Sequence, residues 1–197
     1  MSNIVIKGAT TGTGVFTLES PATNTDRTLV LPDEAGTIDT LGRAGNVLQV
    51  VSATKTDTFS RASQTFGNVT GLSVTITPSS TNSKILIFGT VHLSESGDVA
   101  HARFARDGVG IAIGDARSNR IRATVAMGPG MNTYYMESMS MQHLDSPSST
   151  SALTYTWQIR SGSGVNTVYV NRSVIDRDTV NYEPTAASSI IVMEIAG

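Results

Sequence analysis

The chain has 197 residues, of which 39% are hydrophobic and only 15% charged, with a formal net charge of −2. That length allows one good-sized domain plus an appended segment. The charged fraction lies well below the usual quarter, and Ser and Thr are the commonest residues. Hydroxyl-rich, β-branched, Gly-rich chains suit strands and tight turns rather than solvated helices. No basic patch supports nucleic-acid binding; Arg117, Arg120 and Arg122 are flanked by Asp115 and read as an exposed strand edge or a contact between subunits. The absence of cysteine excludes disulfides and Cys-based metal sites. The opening MSNIVIKGAT lacks the charged and apolar regions of a signal peptide, and no apolar run approaches the roughly 18 residues that span a bilayer. The expectation is a soluble protein without membrane insertion that folds in a reducing cytosol.

Residues 1–42 form a first segment. Ile4–Ile6, Val15–Leu18 and Thr28–Leu31 are short strand-like runs, separated by the Gly/Thr-rich turn Gly8–Gly14 and followed by the turn signal Pro32-Asp33-Glu34-Ala35-Gly36. Such strands carry too little apolar area to offset chain entropy in a lone subunit, so the segment is expected to be extended or to pair with other chains. Leu-Gly-Arg-Ala-Gly-Asn, residues 41–46, is a linker, and residues 45–197 form the main domain.

Longer strands follow. Val47–Val51 opens the domain, Leu72–Thr77 alternates as a half-buried strand, and Pro78–Ser83 is a turn. Lys84–Leu93 is a nearly continuous, β-branched apolar run and is expected to be a central sheet strand. Ala100–Arg106 and Val109–Ile113 flank the hairpin turn Asp107-Gly108. Arg120–Met127, Thr133–His143, Leu153–Ile159, Thr167–Asn171 and Ser189–Ile195 complete about ten strands punctuated by turns. The fold class is therefore all-β: a jelly-roll-like antiparallel β-sandwich preceded by a short extended β N-terminal segment.

Two stretches carry a family resemblance. Thr25-Asp26-Arg27-Thr28-Leu29-Val30-Leu31-Pro32-Asp33-Glu34-Ala35-Gly36-Thr37 resembles a strand–turn element of phage tail fibres and related virion proteins. The second is an ordered set: Val47–Val51, Leu72–Pro78, Ser83–Ile87, Arg106-Asp107-Gly108, Leu144-Asp145-Ser146-Pro147, Tyr155–Gln158, Val170-Asn171-Arg172 and Met193-Glu194-Ile195. In this order the pieces resemble the C-terminal globular module of phage fibre-like proteins. The resemblance implies a virion location, a β-rich fold and a homotrimer, and it carries over no catalytic or receptor-binding residue. The long shaft of a fibre is missing, which leaves a short fibre or a capsid decoration protein. Low charge and abundant hydroxyls independently suit surfaces that meet copies of themselves.

The chemistry-bearing residues are few. His92 and His101 flank a stretch containing Glu95 and Asp98, but their spacing matches no zinc pattern, and no metal or cofactor is expected. Glycan hydrolysis needs two opposed carboxylates, whereas Glu95, Asp98, Asp107, Asp115, Asp145, Asp176 and Asp178 sit at turn-like positions and Glu137 within a strand. There is no nucleophile elbow and no phosphate-binding loop, so the expectation is a non-enzymatic protein. Met127, Met131, Met136, Met139 and Met141 are read as gap-filling core or interface residues. Tyr155 and Trp157 share one strand face and are read as core, while Tyr182 is the ring most suited to an exposed sugar contact.

The N-terminal segment is expected to engage other virion proteins, and the sandwich to trimerise and present loops to a host-surface glycan or protein. Polarity marks the candidate contact residues as Glu95 and Asp98, then Asp115, Arg117 and Asn119, then Asp145 and Ser148, and last Asp176, Arg177 and Tyr182. Rival readings are a capsid decoration protein, a glycan-degrading enzyme, and a C1q/TNF-like adhesion module reached by fold analogy alone.

Overall fold

The computed structural model describes residues 43–128, 133–178 and 181–197, with isolated positions between 11 and 26. The chain divides into Met1–Ile38 and Asp39–Gly197; the account below concerns the second unit. The expected strands Ile4–Ile6 and Thr28–Leu31, the turn 32–36 and Met131 lie outside the described residues.

Eleven strands are described: β1 (Val47–Lys55), β2 (Phe59–Arg61), β3 (Gly67–Ile76), β4 (Lys84–Glu95), β5 (Ala100–Arg106), β6 (Val109–Ile111), β7 (Val125–Met127), β8 (Glu137–Asp145), β9 (Leu153–Ser161), β10 (Val168–Val170) and β11 (Ser188–Ile195). All pairings are antiparallel. In sheet A, β4 is flanked on one side by β8 and on the other by β11 and β10, which lie in line along it; β1 and β2 continue outward from β11 and β10. In sheet B, β9 joins β3 to β5, and β6 and β7 share the far edge of β5.

The pairing is nested. β1 meets β11, β3 meets β9, β4 meets β8, and β5 meets β7. First pairs with last and the innermost strands pair with each other, which is what a long antiparallel ribbon gives when rolled into a jelly roll. The expected fold class is thus the observed one: all-β, two antiparallel sheets, jelly-roll-like.

Period-2 alternation explains why these segments form these strands. Val69, Leu72, Val74 and Ile76 of β3, Ile85, Ile87, Val91 and Leu93 of β4, and Ile190 and Val192 of β11 are buried between the sheets. Tyr155, Trp157 and Ile159 face inward from β9, confirming the core reading of Tyr155 and Trp157. Met127, Met139 and Met141 also point into the core. The rings of Trp157 and Phe104 meet at 4.6 Å, and the indole N–H donates to the Ser189 carbonyl at 3.2 Å. Gly89 makes room for them, because a Cβ there would lie 2.7 Å from the indole nitrogen.

Several boundaries differ from the sequence expectation. β1 runs on to Lys55, and the short β2 has too little pattern to be read from sequence. Only Val125–Met127 of the expected strand 120–127 is extended in a sheet. The expected strand Thr133–His143 begins four residues later, at Glu137, and continues to Asp145; Tyr134 instead packs its ring against Tyr182 and Arg177. The hairpin at Asp107-Gly108 is as expected, with φ of 50° and 83° at its two corner residues.

Candidate functional site

Among the described residues nothing packs on the outer face of sheet A, and the register assembles that face into rows. Val50, Met193, Leu86 and Leu144 lie side by side across β1, β11, β4 and β8. The next row is Ser52, Ile191, Phe88 and Gln142, and the next is Thr54, Ser189, Thr90 and Ser140. Val50 and Leu144 are each 53% exposed. The three rows contain no formal charge. A shallow depression of about 310 Å³ lies in the middle, lined by Phe88, Gly89, Thr90, Ser140, Met141 and Gln142. In its third row Thr90 and Ser140 are hydrogen-bonded to each other at 2.9 Å, so even the hydroxyls are partly paired within the face.

A strand in a two-layer sandwich needs only one apolar phase. β4 has both: Ile85, Ile87 and Val91 face the core, and Leu86 and Phe88 face out. The second phase places apolar side chains on the outer face of the sheet. It was already visible in the nearly continuous apolar run of residues 84–93, unbroken over Ile85–Phe88, which the central-strand reading alone does not exhaust.

The loop candidates divide by burial. Asp115, Arg117 and Asn119 are exposed together in the β6–β7 connection, and Ser148 is exposed in the β8–β9 connection. Glu95 and Asp145 are instead buried, 5% and 8% exposed, at strand ends. Glu95 Oε2 accepts the backbone N–H groups of Gly97 (2.7 Å) and Asp98, closing the turn after β4. Asp145 Oδ2 accepts Arg106 Nη1 at 2.5 Å and the Tyr155 hydroxyl at 2.7 Å, tying β8 of sheet A to β5 and β9 of sheet B. Burial, opposed by nothing stronger, and then the Asp145 hydrogen bond push the Tyr155 phenol upward. These two carboxylates hold turns and strand ends in place.

Arg177 and Tyr182 come together through Tyr134, and Asp176 does not join them. Arg177 pairs with Glu183 (Nε–Oε1 2.9 Å) and stacks 5.1 Å from the Tyr134 ring, which meets the Tyr182 ring at 6.3 Å. Tyr135, Asn181, Tyr182, Glu183 and Pro184 line a depression of about 240 Å³, with Tyr135 and Tyr182 51% and 59% exposed. Asp176 is drawn to Arg172 at 3.1 Å. Among the described residues no three His, Asp or Glu side chains converge as metal ligands. His92 and His101 lie on different sheets, and among the described residues no helix is long and apolar enough to cross a membrane.

The outer face of sheet B was not marked by sequence reasoning. It carries Arg103 and His101 from β5, Gln158 and Arg160 from β9, and Phe66 beside them.

No protein-family profile matches this chain, and no curated protein matches it. Among solved structures it is similar to the crystal structure of the infectious bursal disease virus VP2 subviral particle, with 18% sequence identity and a TM-score of 0.38. That match covers 89% of this chain and 37% of the VP2 chain, so this protein spans well under half the length of its structural neighbour.

Proposed function

We propose that the protein is a non-enzymatic structural component of a phage virion, a fibre-like head that assembles as a homotrimer through the outer face of sheet A. The observation that carries the assembly is the uncharged apolar face centred on Leu86, Phe88 and Ile191, with Val50 and Leu144 at its margins. A face without formal charge has no basic or acidic partner to complement, whereas a second copy of itself matches it in polarity. Size favours a ring over a simple pair. Four strands about 4.8 Å apart and nine residues rising about 3.3 Å each give roughly 570 Å² of sheet, less than the roughly 800 Å² per partner of a stable pair. In a cyclic trimer every subunit meets two neighbours and draws its sheet edges into the contact. The virion assignment rests on the sequence resemblance of residues 25–37 and of the ordered pieces from Val47 to Ile195.

Sedimentation equilibrium of the intact chain at micromolar concentration is the test. The expected mass is that of three chains, and the double substitution Phe88→Glu, Ile191→Glu is expected to give a folded monomer with an unchanged far-ultraviolet spectrum. A wild-type monomer would overturn the assembly. Quantitative mass spectrometry of purified particles tests the location: a few copies per particle fits a fibre, copies numbering in the hundreds fit a decoration protein, and absence rejects both.

A further inference from the structure

We infer that the outer face of sheet B is a binding shelf for an acidic saccharide, with Arg103 and Arg160 as the anion-recognising residues. Alternation puts Trp157, Ile159, Ala102 and Phe104 in the core, so His101, Arg103, Gln158 and Arg160 stand on the opposite side of the sheet, where Gln158 is itself buried beneath Arg103 and Asn68. His101 lies directly across from Arg160, and Arg103 across from Gln158. Phe66 ties the two arginines together: the Arg103 guanidinium sits 4.0 Å from its ring centre and that of Arg160 6.0 Å.

Among the described arginines, Arg106, Arg172 and Arg177 pair with carboxylates, at Asp145, Asp176 and Glu183, whereas Arg61 and Arg122 donate to neutral oxygens. Arg103 and Arg160 likewise donate to neutral oxygens, and they differ from Arg61 and Arg122 in sharing the Phe66 ring. Arg103 Nε donates to the amide oxygen of Gln158 at 2.9 Å. Arg160 donates from Nε to the Ser161 carbonyl at 2.9 Å and from Nη2 to the Gly162 carbonyl at 3.0 Å. Each guanidinium is therefore oriented by neutral oxygens and stacked on one ring, with N–H donors left over. Fixed, partly desolvated forks of this kind suit a carboxylate or sulfate. His101 Nδ1 is buried against the protein, and burial lowers the pKa of the ring, so the imidazole adds no positive charge to the shelf and the two arginines alone supply it. Asp98 is the acid of the neighbourhood, and it makes no ion pair with Arg160 within 4 Å.

The surroundings select the ligand class. The shelf is a sheet surface rather than an enclosed cavity, which fits an extended chain laid across strands better than a small free ion. Its neighbours Asn68 and Gln64 are exposed amides, groups that pair with sugar hydroxyls. Two unpaired arginines on a chain of net charge −2 fall short of the phosphate contacts that nucleic acid requires. This inference goes beyond the assembly reading, since it uses the opposite sheet and holds for a single subunit.

The test is isothermal titration of the full chain with three oligosaccharides at physiological salt: a sulfated one, a uronate one and neutral dextran. Saturable binding to either acidic ligand and none to dextran is the expected result, and the arm that binds identifies sulfate or carboxylate as the recognised group. Arg160→Gln and Arg103→Gln are each expected to weaken binding at least tenfold, and Arg103→Lys nearly as much, because a lysine retains charge without the fork. Arg117→Gln with Arg120→Gln, on the β6–β7 loop, is expected to leave affinity within twofold. A thermal melt checks that each variant is folded, and Arg160→Gln, whose stacking is looser, stands in if Arg103→Gln is not. Equal binding of dextran, equal loss in the loop variant, or no binding of either acidic ligand would overturn the inference. Because the titration reads binding per chain, a wild-type monomer that still binds would remove the trimer and leave the shelf.

Discussion

Two residues show how much of this molecule is decided by single side chains. Gly89 stands in the middle of β4, where propensity favours a β-branched residue, and yet its Cβ space is taken by the Trp157 indole and the edge of Phe104. Gly89→Ala is expected to lower stability by about 1–3 kcal/mol through overpacking, read by urea denaturation, despite the better strand propensity of alanine. Glu194 is nearly fully buried at 1% exposure. Burial raises its pKa, but hydrogen bonds from Ser79, Gln49 and Ser83 outweigh it and bring the carboxyl down to about 2 from an ordinary 4.5. The carboxylate Oε1 accepts Ser79 N–H, the Ser79 hydroxyl and the Ser83 hydroxyl, each at 2.7 Å, and Oε2 accepts Gln49 at 2.6 Å. A folded pKa below the unfolded one makes the stabilisation complete above about pH 5 and removes it as the pH falls toward 2, a linkage of about 3 kcal/mol. Glu194→Gln is expected to lower stability at pH 7 by about 2–3 kcal/mol and to flatten the loss of stability between pH 5 and pH 2, both read by denaturant melts across that range. The sequence shows only Met193-Glu194-Ile195 in alternation; that Glu194 is the inward member follows from the hydroxyl-rich turn 79–83 folding over it.

Between elements, the strands are held in register by polar groups that no pattern reveals. Asn171 follows β10 with a φ of 62°, a left-handed conformation that asparagine tolerates, and it is wholly buried. Its Nδ2 donates to the carbonyls of Lys55 (2.8 Å) and Asp57 (3.0 Å), and its Oδ1 accepts the Ser188 hydroxyl at 2.6 Å. One side chain thereby joins the end of β1, the β1–β2 connection and the start of β11. Asn171→Ala is expected to cost about 2–4 kcal/mol, because it leaves two carbonyls and a hydroxyl unanswered, and to speed hydrogen exchange first in β2 and β10. At the opposite end of the chain's long strands, Tyr155→Phe removes the hydroxyl that bridges sheet B to Asp145 of sheet A. The expected loss is about 1–2 kcal/mol by thermal or urea denaturation, less than for Asn171 because Arg106 still answers the carboxylate. The strands β3, β4, β9 and β11 were legible from alternation and β10 fell within the expected strand Thr167–Asn171, whereas β7 is only the end of the expected 120–127 and β2 was not foreseen, since three residues hold too little periodicity to register.

For the whole molecule, two faces of the sandwich have opposite characters. Sheet A presents uncharged apolar and hydroxyl rows, while sheet B presents arginines stacked on a phenylalanine. If sheet A is covered by sister chains, sheet B is the face left to solvent, and three copies of any shelf on it would act together with an effective concentration set by the assembly. The trimer is then expected to be held to immobilised acidic saccharide far longer than the Phe88→Glu, Ile191→Glu monomer, with equal affinity per site in solution; dissociation rates from a coated surface are the measurement. Of the residues singled out from polarity, Asp115, Arg117, Asn119, Ser148, Asp176, Arg177 and Tyr182 are exposed, and Glu95 and Asp145 are not. Polarity marks turn residues without distinguishing a carboxylate that meets solvent from one that closes its own turn.

By itself the sequence determined the all-β class and which residues of the longer strands alternate, because period-2 patterning is a local property of the chain. It also determined that no cysteine chemistry is available. Which strands pair, and therefore which outward residues become neighbours, was decided only in three dimensions. Leu86, Ile191 and Leu144 stand far apart along the chain, as do Phe66, Arg103 and Arg160, and only the nested pairing of the jelly roll brings each set onto one surface.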